Sequence, residues 1–247
     1  MKYFFVSDIH GQYDKLIDAL DAAQFDKDKD TLVSLGDAFD RGPQSLEVLD
    51  FILNCPNKIL VWGNHDIRLK KLMMGYSESY YDYHNGVLQT IQSFIQNAAI
   101  PSIHLGIQIL TSDERFKNVV NKLYSYFNQC VWVVKWEDLY ATHALLPSYE
   151  SLEEITIMEW EDIVWGNTEV FYNSKEYLMF DKPIIVGHWH AWRFRDDPCD
   201  MSTFISGDKL FIAIDGCSNA TNGKVNVYIY ENELKPLVLK NQNFTFL

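Results

Sequence analysis

Five short apolar runs in this chain each end in side chains of the kind that bind metal ions. Residues 3–7 lead into Asp8-Ile9-His10-Gly11. Residues 31–35 lead into Gly36-Asp37-Ala38-Phe39-Asp40-Arg41-Gly42. Residues 58–62 lead into Gly63-Asn64-His65-Asp66, residues 138–142 into His143, and residues 183–186 into Gly187-His188-Trp189-His190. Short apolar runs of this length read as buried strands. Ligands of open α/β sheets gather at the carboxyl ends of such strands. Side by side, these strand ends would pool carboxylates, an amide and imidazoles into a site for two cations. The chemistry suited to two-metal sites is in-line displacement at phosphorus.

The elements around these ligands follow from periodicity. A strand near 3–7 precedes a helix near 12–23, with Leu16, Ile17, Leu20 and Ala23 on one face. A strand near 31–35 precedes a helix near 43–53, with Pro43 at a first helical position that tolerates proline. A strand near 58–62 precedes a helix near 65–74. Alternation of this kind predicts parallel strands with right-handed crossovers. The Tyr-rich stretch of about 75–130 reads as a helical insertion, with helices near 87–97 and 113–128 and no obvious ligand. Residues 203–206 and 209–214 read as a hairpin, and Asn222-Gly223 as a turn before a strand at 224–230. These predict a second, more antiparallel sheet packed on the first. The chain is expected to form a single domain over 1–247.

Within the motifs, each residue type suggests a task. Asp8 and His10, two apart on an extended strand end, would point the same way toward one cation, and His188 and His190 repeat that spacing. Asp37 has two oxygens with which to bridge two cations. Asp40 could orient a histidine by accepting its N–H. Arg41 offers a planar fork for phosphate. Asn64 is a neutral oxygen ligand and also a candidate substrate contact. His65 is placed to protonate a leaving oxygen. Arg68, three residues on, would share its face and reach substrate. His84 and His104 lack such context and read as structural.

Composition bounds the partners. The net charge is −13 and the isoelectric point about 4.9. An acidic chain argues against nucleic acid and against anionic membranes. It leaves phosphorylated substrates open, since screening confines charge to about 8 Å at physiological salt. The four cysteines, Cys55, Cys130, Cys199 and Cys217, are widely spaced. They suggest buried free thiols and, with no signal-like or membrane-length segment, a cytoplasmic location.

Taken in order, Asp8-Ile9-His10-Gly11, Gly36-Asp37…Asp40-Arg41-Gly42, Gly63-Asn64-His65-Asp66, His143 and Gly187-His188-Trp189-His190 resemble the motifs of calcineurin-like metallophosphoesterases. The chain looks most similar to the bacterial and phage phosphoprotein phosphatases, a branch that also includes symmetrical dinucleoside-tetraphosphate hydrolases. The resemblance implies a four-layer α/β/β/α sandwich and a dinuclear centre. It implies that Asp8, His10 and Asp37 hold the first metal, that Asp37 bridges, and that Asn64, His143 and His188 complete the second. Asp40 with His65 would then form the general acid, and Arg41 would bind phosphate. Two departures stand out. Asn167 follows Trp165-Gly166 where phosphatases of this kind often carry an arginine. His190 resembles the first-metal ligand of broader members of the superfamily. The nitrogen and oxygen ligand set suits Mn, Fe or Zn. The expected substrate is a phosphomonoester, including phosphoserine or phosphothreonine in a protein. The alternatives are a dinucleoside polyphosphate or another small phosphoester, and a metal-binding regulator without turnover. The sequence does not speak to oligomeric state.

Overall fold

The computed structural model describes residues 1–96, 99–147, 152 and 155–239. The first third follows the predicted alternation: β1 (Lys2–Val6), α1 (Tyr13–Ala22), β2 (Thr31–Ser34), α2 (Ser45–Asn54), β3 (Lys58–Val61) and α3 (Asn64–Met73). The region read as an insertion holds α4 (Tyr80–His84), α5 (Val87–Phe94), α6 (Ile103–Ser112) and α7 (Lys117–Gln129). Residue 97, at the end of one expected helix, lies outside the described residues. The rest comprises β4 (Cys130–Val131), β5 (Val133–Lys135), β6 (Tyr140–Thr142), α8 (Ile157–Ile163), α9 (Thr168–Asn173), β7 (Ile184–Val186), β8 (Phe204–Ile205), β9 (Phe211–Ala213), β10 (Tyr228–Glu231) and β11 (Leu237–Leu239).

Two sheets form. The first has the order β10-β1-β2-β3-β4 and the second β11-β5-β6-β7-β9-β8. Strands β1 to β4 run parallel, and β10 adds antiparallel at the β1 edge. The strand expected over 224–230 thus joins the first sheet, not the second. The second sheet is mixed. Its centre, β6-β7-β9, is parallel, and the predicted hairpin appears as the antiparallel β8-β9 pair.

Alternation along each strand sorts the two faces. Tyr3, Phe5, Val33, Leu35 and Val61 meet Val134, Trp136, Ala141, Ile185 and Ile212 between the sheets. Val6, Leu32 and Leu60 face the helices instead. The outcome is the α/β/β/α layering, with the carboxyl ends of β1, β2, β3, β6 and β7 each leading into a candidate ligand loop.

Pro43 falls just outside α2 rather than at its first residue. The loop before it is tied elsewhere: Gly42 N–H donates to His10 O and Gln44 N–H to Gly11 O. These bonds join the β1 and β2 loops and delay the helix.

The insertion grips that same loop. Thr90 Oγ1 on α5 accepts from Asp40 N at 2.7 Å. Gly86, at φ +83°, packs its Cα so close to the chain that a Cβ there would lie 2.4 Å from Arg41 N. Gly75 has φ +90° but open space around it. Gly75→Ala should therefore cost only the left-handed backbone penalty, about 1–2 kcal/mol. Gly86→Ala should cost clearly more in urea unfolding, because backbone must also move.

Candidate metal centre

The ligand loops are held in an unusual backbone conformation. Asp8, His10, Asp37, Asp40, Arg41 and His188 all have positive φ, between 48° and 71°. Such angles are uncommon outside glycine, with Asp and His among the more tolerant residues. Lateral hydrogen bonds support them. Asp8 N–H donates to Gly36 O, His10 N–H to Asp37 O and Gly11 N–H to Ala38 O, at 2.9–3.1 Å. The extended i, i+2 geometry expected for Asp8/His10 and for His188/His190 is therefore not what forms. Each loop leaves its strand by a left-handed turn, which aims the side chains individually.

Asp37 lies at the middle. Its Oδ2 is 3.9 Å from both His10 Nε2 and His65 Nε2. Its Oδ1 is 3.6 Å from His143 Nε2 and accepts from His65 N at 2.9 Å. Two triads of ligand atoms share this carboxylate: His10–Asp37–His65 and Asp37–His143–His188. Asp8 flanks the first, with Oδ1 3.9 Å from His10 Nε2, while its Oδ2 accepts from Ser7 Oγ and His188 N. Asn64 flanks the second, with Oδ1 2.9 Å from His143 Nε2.

The residues fit cations. His10 Nδ1 bonds Phe39 O at 2.9 Å and His143 Nδ1 bonds Leu35 O at 2.6 Å. A ring nitrogen facing a carbonyl must carry its proton, so Nε2 of each neutral ring is left as the lone-pair atom. At His143, Nε2 and the Asn64 Oδ1 atom converge at 2.9 Å, a nitrogen and an oxygen placed to face one cation. Burial lowers the pKa of His10 well below the usual histidine range, with Arg41 adding to the effect. Burial, then His143, pushes His188 down to about 3. Both rings are thus neutral at pH 7, the form in which an imidazole can bind a cation. Burial opposes charge on Asp37, yet attraction from His143, then His65, lowers its pKa, and the His65 N–H bond supports the carboxylate.

A second group stands on the first triad. His65 Nδ1 lies 2.8 Å from Asp40 Oδ2. Arg41 extends across, with NH1 2.7 Å from His10 Nε2 and NH2 3.2 Å from His65 Nε2. Burial disfavours the charged His65 ring, but Asp37 and the Asp40 hydrogen bond outweigh it and raise its pKa.

Two residues stand apart from this convergence. Arg68 spends its fork on Asp82, with Nε 2.6 Å from Oδ1, and on Ser77 O at 2.8 Å. His190 belongs to neither triad. Its Nε2 is 3.9 Å from Asp215 Oδ2, and its ring lies 6.2 Å from that of Trp192.

Two acids were missed in the sequence. Asp66, wholly buried, accepts from Asp37 N, Ala38 N and Gly63 N at 2.9–3.2 Å, so one carboxylate ties β2's loop to the start of α3. An acid in the first turn of a helix, three residues after its cap, was the available signal. Asp215 follows the apolar end of β9 and is also buried, a strand-end position like that of Asp8. Asp66→Asn puts an NH2 group where backbone donors point. It should lower unfolding free energy by about 1–3 kcal/mol, the penalty for stranded buried donors, as read by urea titration.

Comparison with known proteins adds the following. A stretch of 80 residues is 41% identical to the symmetrical bis(5'-nucleosyl)-tetraphosphatase of Salmonella paratyphi B, covering 32% of this chain. The aligned stretch spans only 28% of that relative's length, and the same holds for the enzyme of Salmonella typhi. A crystal structure titled as a putative diadenosine tetraphosphatase superposes with TM-score 0.59 at 19% identity, over 97% of this chain and 94% of that one. A cold-active protein-tyrosine phosphatase from a psychrophilic Shewanella does so with TM-score 0.59 at 16% identity, over 97% and 80%. At such identities the likeness is one of fold. Residues 1–203 match the family described as calcineurin-like phosphoesterase, and this match, over most of the chain, makes the chain a member of that family.

Proposed function

We propose that this chain is a metal-dependent phosphoester hydrolase, with phosphomonoesters as its leading substrate class. The observation that carries the reading is Asp37, whose two oxygens face two separate histidine sets beside the Arg41 and His65–Asp40 groups. Asp8, His10 and Asp37 are assigned to one cation, and Asp37, Asn64, His143 and His188 to the other. His190, which stands apart beside Asp215, is proposed as a further ligand of the first cation on the Gly-His-x-His resemblance alone. Mn, Fe or Zn ions, when bound, would supply Lewis-acid stabilisation of phosphoryl charge and an acidified water.

The chain's own groups do the rest. Arg41 binds and orients the phosphoryl oxygens, its fork already directed between His10 and His65. Asp40 holds the His65 ring. Its Nδ1, 2.8 Å from Asp40 Oδ2, is held so that the ring can carry a proton for the leaving oxygen. Asn64 contributes a neutral oxygen, so the pocket keeps its attraction for a dianion. Arg68, bound to Asp82, is retained as a wall of the substrate cleft.

A second reading, hydrolysis of dinucleoside tetraphosphates, is favoured by the 41% identity over 80 residues to the symmetrical tetraphosphatases. Phosphoserine or phosphothreonine proteins belong to the leading class. Purified protein supplied with Mn, Fe or Zn is to be assayed on p-nitrophenyl phosphate, phosphopeptides and diadenosine tetraphosphate. Turnover of a monoester supports the first reading, and turnover of the tetraphosphate alone the second. Metal binding without any turnover would make the chain a regulator.

Asp37→Ala should lose more metal than any other single ligand change, His190→Ala included, as read by elemental analysis. Retention of two metals per chain would remove the bridging role. His65→Asn should keep metal content while lowering kcat on an alkyl phosphate by about 10²–10⁴. The loss should shrink for p-nitrophenolate, which departs without a proton. A parallel fall in metal content would instead make His65 a ligand.

A further inference from the structure

A cavity of about 500 Å³ opens beside the His65–Asp40 pair, a volume in the range of small-molecule sites. Its walls come from distant parts of the chain. Tyr81 of α4, Asn85 and Val87 lie on one part of the lining, and Trp165, just past α8, on another. The Trp165 indole is 51% exposed and the Tyr81 phenol 73%. Large rings left this open in a concave site await a partner. Trp165 also lies face-to-face with the His65 ring, at 6.5 Å between centroids and 29° between planes. The ring surface therefore continues directly from the proposed proton donor.

Arg68, the guanidinium that lines the cavity, is bound to Asp82. Asp40 faces His65 through Oδ2, while its Oδ1 is buried without a hydrogen-bond partner. The lining thus offers no free guanidinium or ammonium to a second phosphate. What remains is aromatic surface with the half-buried Asn85 amide, which pairs a donor with an acceptor on one planar edge. An amide of this kind matches the edge of a purine.

We propose that this cavity is a leaving-group subsite for a nucleoside, with the base stacked on Trp165 and with Tyr81 and Asn85 supplying a second ring and a hydrogen-bonding edge. The proposal rests on the hydrolase reading and names its substrate as a small nucleoside phosphate. In the reaction the oxygen of water joins phosphorus, and the bond from phosphorus to the nucleoside-bearing oxygen breaks with its electron pair on that oxygen. His65 donates a proton there, and the proton lost by the water restores His65 through solvent.

The test compares the wild type with Trp165→Leu and Trp165→Phe, each checked for folding by circular dichroism. With Mn present, kcat/KM is measured on AMP, diadenosine tetraphosphate, a phosphoserine peptide and a phosphotyrosine peptide. Binding of AMP to the metal-free proteins is followed by NMR, so that the subsite is read without turnover. Trp165→Leu should lower kcat/KM on a nucleotide about tenfold to a hundredfold relative to phosphoserine, the worth of stacking one base. Trp165→Phe, which keeps a ring, should recover most of it. Equal losses on all four substrates would overturn the proposal. A loss confined to phosphotyrosine would overturn it in favour of a peptide. If nothing is turned over but AMP binds and Trp165→Leu abolishes the binding, the subsite stands and the hydrolase reading falls. Absence of AMP binding in an inactive wild type would overturn both.

Discussion

A carboxylate buried among imidazoles is the constraint on which this structure turns. Asp37 has almost no contact with solvent, and an ion in such a place is costly unless compensated. Its compensation comes from backbone and side chains belonging to different strands: His65 N–H from α3, His10 from the β1 loop, His143 from the β6 loop. A single charge thereby requires both sheets to be present and in register. Cations held there would complete that compensation, and would couple metal binding to the integrity of the two sheets.

Holding Asp37 at that point takes strain elsewhere. Six residues of the site have left-handed backbone angles, each of order 1–3 kcal/mol less favourable than ordinary conformations. Hydrogen bonds between loops offset this. The β1 and β2 loops are bonded to one another, Asp66 gathers three backbone donors, and Thr90 holds Asp40 from the insertion. Three elements, the β1 loop, α3 and α5, thus fix one short stretch, from Asp37 to Arg41. The position of these side chains therefore depends on groups outside the stretch itself.

The insertion has two duties in this arrangement. Its α5 packs behind Asp40 and Arg41, through Thr90 and the close approach of Gly86. Its α4 carries Tyr81 and Asp82 at the rim of the cavity beside His65. A change in this region can therefore alter both the Asp40–Arg41 loop and the cavity beside His65.

Much of this was legible in the sequence, because strand-end ligands leave a short-range signal. An apolar run sets a strand, and the next polar residue is delivered to the sheet's carboxyl edge. That rule pointed to Asp8, Asp37, Asn64, His143 and His188, which the fold brings together as candidate ligands, and the alternation of patterns set the parallel order of β1 to β3. The same rule reaches Asp215 after β9. Other features depend on contacts between residues far apart in the chain. The left-handed turns that replace the extended i, i+2 geometry follow from hydrogen bonds between the β1 and β2 loops. Strand β10 joins the first sheet because β1 presents an open edge there. Arg68 turned to Asp82, fourteen residues on, since α4 brings a carboxylate against its fork. Two of the four cysteines, Cys55 and Cys130, are buried as expected, while Cys199 is exposed. The meeting of Trp165 with His65, a hundred residues apart, has no local signature at all. Local pattern determined which residues could carry the chemistry. Tertiary structure decided where each side chain points, because that depends on which loop the folded chain places beside it.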